Sequence, residues 1–268
     1  MKTTRTALLQ LDAACMRLGR REFGPFSLNI DQGERIAILG PSGAGKSTLL
    51  RLMASELACI RGSALLDERS LASWTLAELS RRRAVLPQSM EVAFGLETDL
   101  IIGLGRVACR HDPQLDDIVR QAATHAHAAH LLGRRFDTLS GGEKARVQLA
   151  RVFAQLWDRQ DGLILVDEPL AALDPGLQFE LLDELEGFAA QRGHAIVAVL
   201  HDINHALQGF DRLLLIQQGE LVGDLPADAR ALPHLEALYG VALTSLESPD
   251  GNLVVMPTRR TARNTANG

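Results

Sequence analysis

The sequence predicts an α/β fold with a mainly parallel sheet, an antiparallel β part and an inserted helical subdomain. Three observations predict it. Apolar runs at residues 36–39, 163–166 and 195–200 are short and continuous, as in strands buried on both faces. Segments of helical spacing alternate with these runs, as in a sheet whose parallel strands are joined by crossover helices. Between about Ser89 and Leu156 the pattern becomes helical, with no buried strand.

The elements follow in chain order. Ala7-Leu8-Leu9 opens a first strand; Gln10 and Asp12 interrupt the apolar run well short of the ~7–15 residues that a secretory leader needs. Residues 34–39 form a buried strand that ends at Gly40. A helix from Lys46 to about Leu57 follows, with Leu49, Leu50, Leu52, Met53 and Leu57 toward the sheet. After the insertion comes the strand at 163–166. Pro175 opens a helix at its first turn and Gly193 closes it. Its apolar face carries Leu177, Leu181, Leu182, Leu185, Phe188 and Ala189. The third buried strand ends at His201. Residues 213–216 and 220–222 flank Gln217-Gln218-Gly219 and read as a hairpin. The chain therefore divides into an α/β core, 1–88 and 157–257, and a helical subdomain, 89–156. The polar residues 258–268 are expected to be a disordered tail.

The 268 residues suffice for one large domain or one core with an inserted subdomain, and 46% hydrophobic content is that of a globular chain. A net charge of −5 argues against nucleic acid as a partner. Cys15, Cys59 and Cys109 have no paired or metal-ligand spacing, which implies reduced thiols. No segment approaches the ~18 apolar residues of a membrane span, so a membrane role must run through a partner.

Gly40-Pro41-Ser42-Gly43-Ala44-Gly45-Lys46-Ser47 matches G-x-x-x-x-G-K-[ST], placed between a strand and a helix. Its glycines let backbone N–H groups converge on phosphate oxygens, and the helix dipole adds positive potential there. Lys46 would reach the β- and γ-phosphates, and Ser47 would ligate Mg²⁺. Asp167 ends an apolar strand, where a carboxylate can hold Mg²⁺ or its water. Glu168 follows, placed to polarise a water for γ-phosphate hydrolysis. Ser140-Gly141-Gly142-Glu143 is a capping box opening a helix. The box accounts for Ser140 and Glu143 without any ligand. It does not account for two successive glycines, which weaken a first turn but suit close approach of an anion. The first phosphate loop already holds one triphosphate, so this site needs another nucleotide or another subunit.

With these motifs the chain resembles the ATP-binding subunit of ABC transporters over nearly its whole length. Residues 40–47 and Thr48 resemble the Walker A loop, 163–167 with Glu168 the Walker B strand and catalytic base, and 139–143 the family signature. Gln88 resembles the glutamine that senses Mg²⁺ and the attacking water, Ala171-Ala172-Leu173-Asp174 the D-loop, and His201 the switch histidine. The resemblance implies ATP and Mg²⁺, the latter on Ser47, Gln88 and Asp167, with Glu168, His201 and Gln88 catalytic. It also implies a head-to-tail dimer. Each ATP would lie between one copy's phosphate loop and the other copy's Ser140, Gly141 and Gly142.

Three departures stand out. Near position 17, where the family has an aromatic residue to stack on adenine, Met16-Arg17-Leu18 offers none; Arg17, through its guanidinium face, or Phe23 can substitute. Leu170-Ala171 makes the D-loop more apolar, and Lys144 stands where glutamine is common.

Residues 80–88, 147–157 and the stretch Leu238-Tyr239-Gly240-Val241 leading to Val254-Val255-Met256-Pro257 resemble importer ATPases for haem, iron-siderophore and vitamin B12, haem most closely. Such an ATPase docks as two copies on a transmembrane permease dimer at the cytoplasmic face of a bacterial inner membrane, and a periplasmic substrate-binding protein delivers cargo. Met90, Val92, Phe94 and Leu96 are candidates for the permease groove. A soluble ABC ATPase of DNA repair or translation would carry two cassettes or a long coiled-coil insertion, and this chain shows neither. A regulatory module without hydrolysis is disfavoured by Glu168 and His201. His125-Ala126-His127-Ala128-Ala129-His130 sets His127 and His130 on one predicted helix face, but no carboxylate or cysteine completes a metal set. Arg81-Arg82-Arg83 reads as a solvated or salt-bridged face.

Overall fold

A computed structural model describes residues 7–87, 95–109, 111–167, 173–249, 251 and 253–258. Gln88, Met90, Val92, Phe94, Glu168, Ala171 and Ala172 lie outside them.

β1 (Leu9–Leu18) and β2 (Arg21–Ile30) form an antiparallel pair. β3 (Arg35–Leu39) leads into α1 (Lys46–Met53), then β4 (Arg61–Leu66) and β5 (Arg69–Ser70) extend the first sheet in the order β2-β1-β4-β5. α1 is shorter than the sequence predicts. Ser55 turns to φ 58° just beyond its C-cap, and Leu57 N–H bonds Arg51 O, so the helix closes before Leu57.

α2 (Leu76–Leu79) and β6 (Arg83–Leu86) precede the insertion, which carries α3 (Thr98–Gly103), α4 (Leu115–His125) and α5 (Gly141–Leu156). The core resumes with β7 (Leu163–Asp167), α6 (Pro175–Arg192), β8 (Ala195–Val199), α7 (Ile203–Gly209), β9 (Arg212–Gln217) and β10 (Glu220–Pro226). The chain then continues through α8 (Leu232–Tyr239), β11 (Ala242–Glu247) and β12 (Leu253–Thr258). Thr258, expected in the tail, closes β12, and its hydroxyl donates to Ala242 O at 3.2 Å.

The central sheet has the order β10-β9-β3-β8-β7-β6; all its pairings are parallel except β10–β9. Alternate residues of each strand face opposite sides. Ile36, Ile38, Leu165, Val197 and Leu214 pack with α1 and the antiparallel sheet. Ala37, Leu39, Val166, Ala198 and Leu215 pack with the insertion and α6. Burial on both faces explains the unbroken apolar runs.

α6 begins and ends as predicted: Asp174 accepts from Leu177 N at 3.0 Å, and Gly193 closes the helix at φ 68°. The histidine cluster differs from expectation. α4 stops at His125, His127 turns to φ 51°, and His130 sits in a separate 3₁₀ turn, so the two histidines share no helix. His127 pairs instead with Glu184 at 2.8 Å, and no metal-ligating cluster of His, Cys, Asp or Glu occurs among the described residues. The arginine run also has partners: Arg81 donates to Ala108 O at 2.7 Å and Arg82 pairs with Asp67 at 2.5 Å.

Candidate nucleotide site

Parallel register places the site. Ile38, Val199 and Asp167 lie level across β3, β8 and β7. The residues just beyond β3 and β8, Gly40 and His201, therefore emerge beside Asp167 at one carboxyl edge, where α/β sheets bind ligands. His201 and residues 42–48, with Phe23, line one cavity of about 300 Å³.

The loop's glycines answer local demands. A Cβ on Gly40 would lie 2.2 Å from Ile216 O, and Gly45, the N-cap of α1, adopts φ 108°. Lys46 is buried and donates to Gly40 O at 2.9 Å and Pro41 O at 3.2 Å. The ammonium is thus held across the loop rather than extended into water. Ser47 Oγ donates to Asp167 Oδ1 at 2.8 Å, which joins the start of α1 to the end of β7. Two hard oxygen donors at the loop's mouth are the ligands that Mg²⁺ selects, since it takes few protein ligands and completes its shell with phosphate and water.

The structure does not bring Arg17 to this cavity. Arg17 faces Glu22 across the β1–β2 pair and forms an ion pair with it at 3.6 Å. Phe23, the alternative, does line the cavity, packed against Gly45 and Gly219 with the Arg21 guanidinium 4.8 Å over its ring.

Ser140 caps α5 as predicted: its Oγ accepts from Glu143 N at 3.3 Å, and Glu143 Oε2 accepts from Ser140 N at 2.8 Å. Arg134 donates to Glu143 at 2.9 Å, and these hydrogen bonds hold its carboxyl below the usual carboxylate range, the Ser140 backbone first. Gly142 has a packing role that the sequence did not reveal: a Cβ there would lie 2.5 Å from Leu177 Cδ2. Of the permease-groove candidates, Leu96 is described, and it lines an open cavity of about 760 Å³ with Leu100, Leu104, Val107 and Leu115. Tyr239 escaped sequence reasoning as a site neighbour: its hydroxyl accepts from Gly40 N at 3.1 Å. The available signals were that it is the sole tyrosine and sits in the 238–241 stretch.

A phosphate loop opening a helix, with an acidic strand end bonded to the loop's serine, defines a nucleotide-binding protein of the P-loop class. Residues 23–171 match the ABC transporter family model. The hemin import ATP-binding protein of Pseudomonas aeruginosa is 41% identical over 238 residues, covering 87% of this chain and 92% of that protein. Its counterpart in Bordetella pertussis is 38% identical over 242 residues, covering 86% and 91%. Among solved structures, a metal-chelate type ABC transporter in an inward-facing conformation superposes with a TM-score of 0.80 at 22% identity, over 95% of this chain and 99% of that one. A dimeric ATP-binding cassette with ADP and phosphate superposes with a TM-score of 0.72 at 23% identity, over 82% and 99%. The chain belongs to the ABC transporter family, and its fold is that of an ABC ATPase.

Proposed function

We propose that this chain is the ATP-hydrolysing, energy-coupling subunit of a haem importer. It works as a head-to-tail homodimer beneath a transmembrane permease dimer, to which a periplasmic protein delivers cargo, at the cytoplasmic face of a bacterial inner membrane. The observation that carries the reading is the conjunction at one sheet edge: the phosphate loop, the Ser47–Asp167 hydrogen bond and His201 around one cavity. Haem as cargo rests on the hemin import relatives, 38–41% identical over most of their length.

ATP is the substrate. The N–H groups of residues 42–48 and the dipole of α1 hold its phosphates, and Lys46 adds positive charge where charge builds during transfer. Ser47 and Asp167, with Gln88, would hold Mg²⁺, which neutralises the phosphate oxygens when bound. Glu168 takes a proton from the attacking water, and His201 contacts the γ-phosphate. Ser140, Gly141 and Gly142 of the second copy close the site. The apolar side chains of Leu96, Leu100, Leu104 and Val107 receive the permease.

The test is Glu168→Gln, assayed with and without the co-purified permease in liposomes. Hydrolysis falls at least ~100-fold, and the variant elutes as a dimer with ATP retained. Near-normal turnover would overturn the catalytic assignment. In the wild-type complex, haem-loaded binding protein stimulates hydrolysis and siderophore-loaded protein does not; the reverse result would overturn the cargo.

A further inference from the structure

The C-terminal segment reaches the nucleotide site from two directions. α8 carries Tyr239 in its last turn, and the Tyr239 hydroxyl accepts from the backbone N–H of Gly40, where β3 passes into the phosphate loop. On its other side Gly40 is pressed against β9, since a Cβ would lie 2.2 Å from Ile216 O. The loop's entry is therefore held between a strand backbone and a phenol.

The same segment holds the helix that follows His201. Asn204 in α7 donates from Nδ2 to Val255 O at 3.1 Å and accepts at Oδ1 from Val255 N at 2.7 Å, so one side chain takes both backbone groups of a β12 residue. α7 is capped by Asp202, which accepts from Asn204 N at 2.7 Å and His205 N at 3.2 Å, directly after His201. Between these ends the segment is tied to itself. Gly240 N bonds Glu236 O at 2.9 Å, Glu236 Oε1 accepts from Leu243 N at 2.6 Å, and β11 pairs with β12 throughout.

From this geometry we infer that α8, β11 and β12 form a strut that sets the phosphate loop against the switch histidine, with Tyr239 and Asn204 as its positioning residues. The inference rests on the nucleotide-site reading above. Neither residue lines the nucleotide cavity, so each acts through backbone it holds: Tyr239 through Gly40, Asn204 through the start of α7. The two ends separate kinetically. The loop entry shapes phosphate binding, whereas the helix after His201 shapes the group that meets the γ-phosphate.

The test uses the full chain. Removing one neutral hydrogen bond changes an equilibrium by about two- to tenfold. Tyr239→Phe raises KM for ATP, and Kd for a non-hydrolysable ATP analogue, by about that factor, with kcat nearly unchanged. Asn204→Ala lowers kcat with a smaller change in KM. Because the chain has one tyrosine, protein labelled with 3-fluorotyrosine gives a single ¹⁹F resonance, which shifts on saturation with the analogue. A silent resonance, together with unchanged KM in Tyr239→Phe, overturns the inference even if that variant melts earlier. A Tyr239→Phe variant that loses only thermal stability shows a structural tie alone, and also overturns it. Wild-type protein that binds no nucleotide overturns the underlying reading and the strut with it, whereas wild type that binds normally beside a silent variant sinks the strut alone.

Discussion

A methyl group on Gly142 would lie 2.5 Å from Leu177 Cδ2, so two demands fall on one glycine. One is packing of α5 on α6; the other, in the proposed head-to-tail dimer, is approach of a phosphate bound by a second copy. They separate in a pair of variants. Gly142→Ala overpacks the contact and costs about 1–3 kcal/mol, partly offset by alanine's better helix propensity. Adding Leu177→Ala opens the space. The double variant should melt within a few degrees of Leu177→Ala alone, while ATP hydrolysis stays impaired. Recovery of hydrolysis with stability would reduce Gly142 to a packing residue. At this scale, motifs whose constraints are local were legible. Gly43 at φ 74° and Gly45 at φ 108° are positions that only glycine takes readily, and the capping box of Ser140 and Glu143 is written in four consecutive residues. Tyr239 was not legible in this role, because its partner Gly40 is brought near by the fold rather than by spacing. The partner of Arg17 was illegible for the same reason: strand pairing, not spacing, sets it opposite Glu22.

Elements announced by their ends were read well. α6 runs from Pro175 to a glycine cap, and the β9–β10 hairpin turns at Gln218-Gly219, with φ 53° and 93°. The β4–β5 hairpin turns at Asp67-Glu68, with φ 49° and 59° and no glycine to mark it. Within the insertion the informative element is the turn after α3. Arg106 is nearly buried and donates to Asp112 at 2.7 Å, Asp158 at 2.8 Å and Ala154 O at 3.4 Å, so one guanidinium joins three segments. Its hydrogen bonds hold the Asp112 carboxyl below the usual carboxylate range. Arg106→Ala removes these charge-assisted hydrogen bonds and should destabilise the insertion by about 1–3 kcal/mol. Hydrogen exchange of α3 and α4 would show it as lost protection; unchanged exchange there would contradict the hub. The carboxylates that pair with Arg106 lie 6 and 52 positions away, so the fold rather than local spacing brings the second to it.

Among the described residues, one apolar layer packs on each face of the central sheet, which is why alternation of buried runs with helices sufficed to predict the architecture. One buried base ties the entries of two of the sheet's strands. His194 is 1% exposed and precedes β8, and its Nδ1 accepts from Gly162 N, the residue before β7, at 2.8 Å. Only the neutral ring can accept there. Burial, then the nearby Arg192 and Arg82 guanidinium groups, pushes the imidazole down to about 4 from 6.5. The unfolded chain therefore takes up the proton first. Stability from this group is complete above about pH 6.5 and falls as pH drops toward 4, by roughly 3 kcal/mol in all. Carboxylates add their own acid dependence, so the difference between two proteins isolates the histidine. His194→Asn keeps an acceptor for Gly162 N and removes the titration. Urea unfolding between pH 7 and 4.5 should lose about 2–3 kcal/mol more in the wild type than in this variant. Parallel losses in the two proteins would show that His194 does not carry the acid sensitivity of the fold.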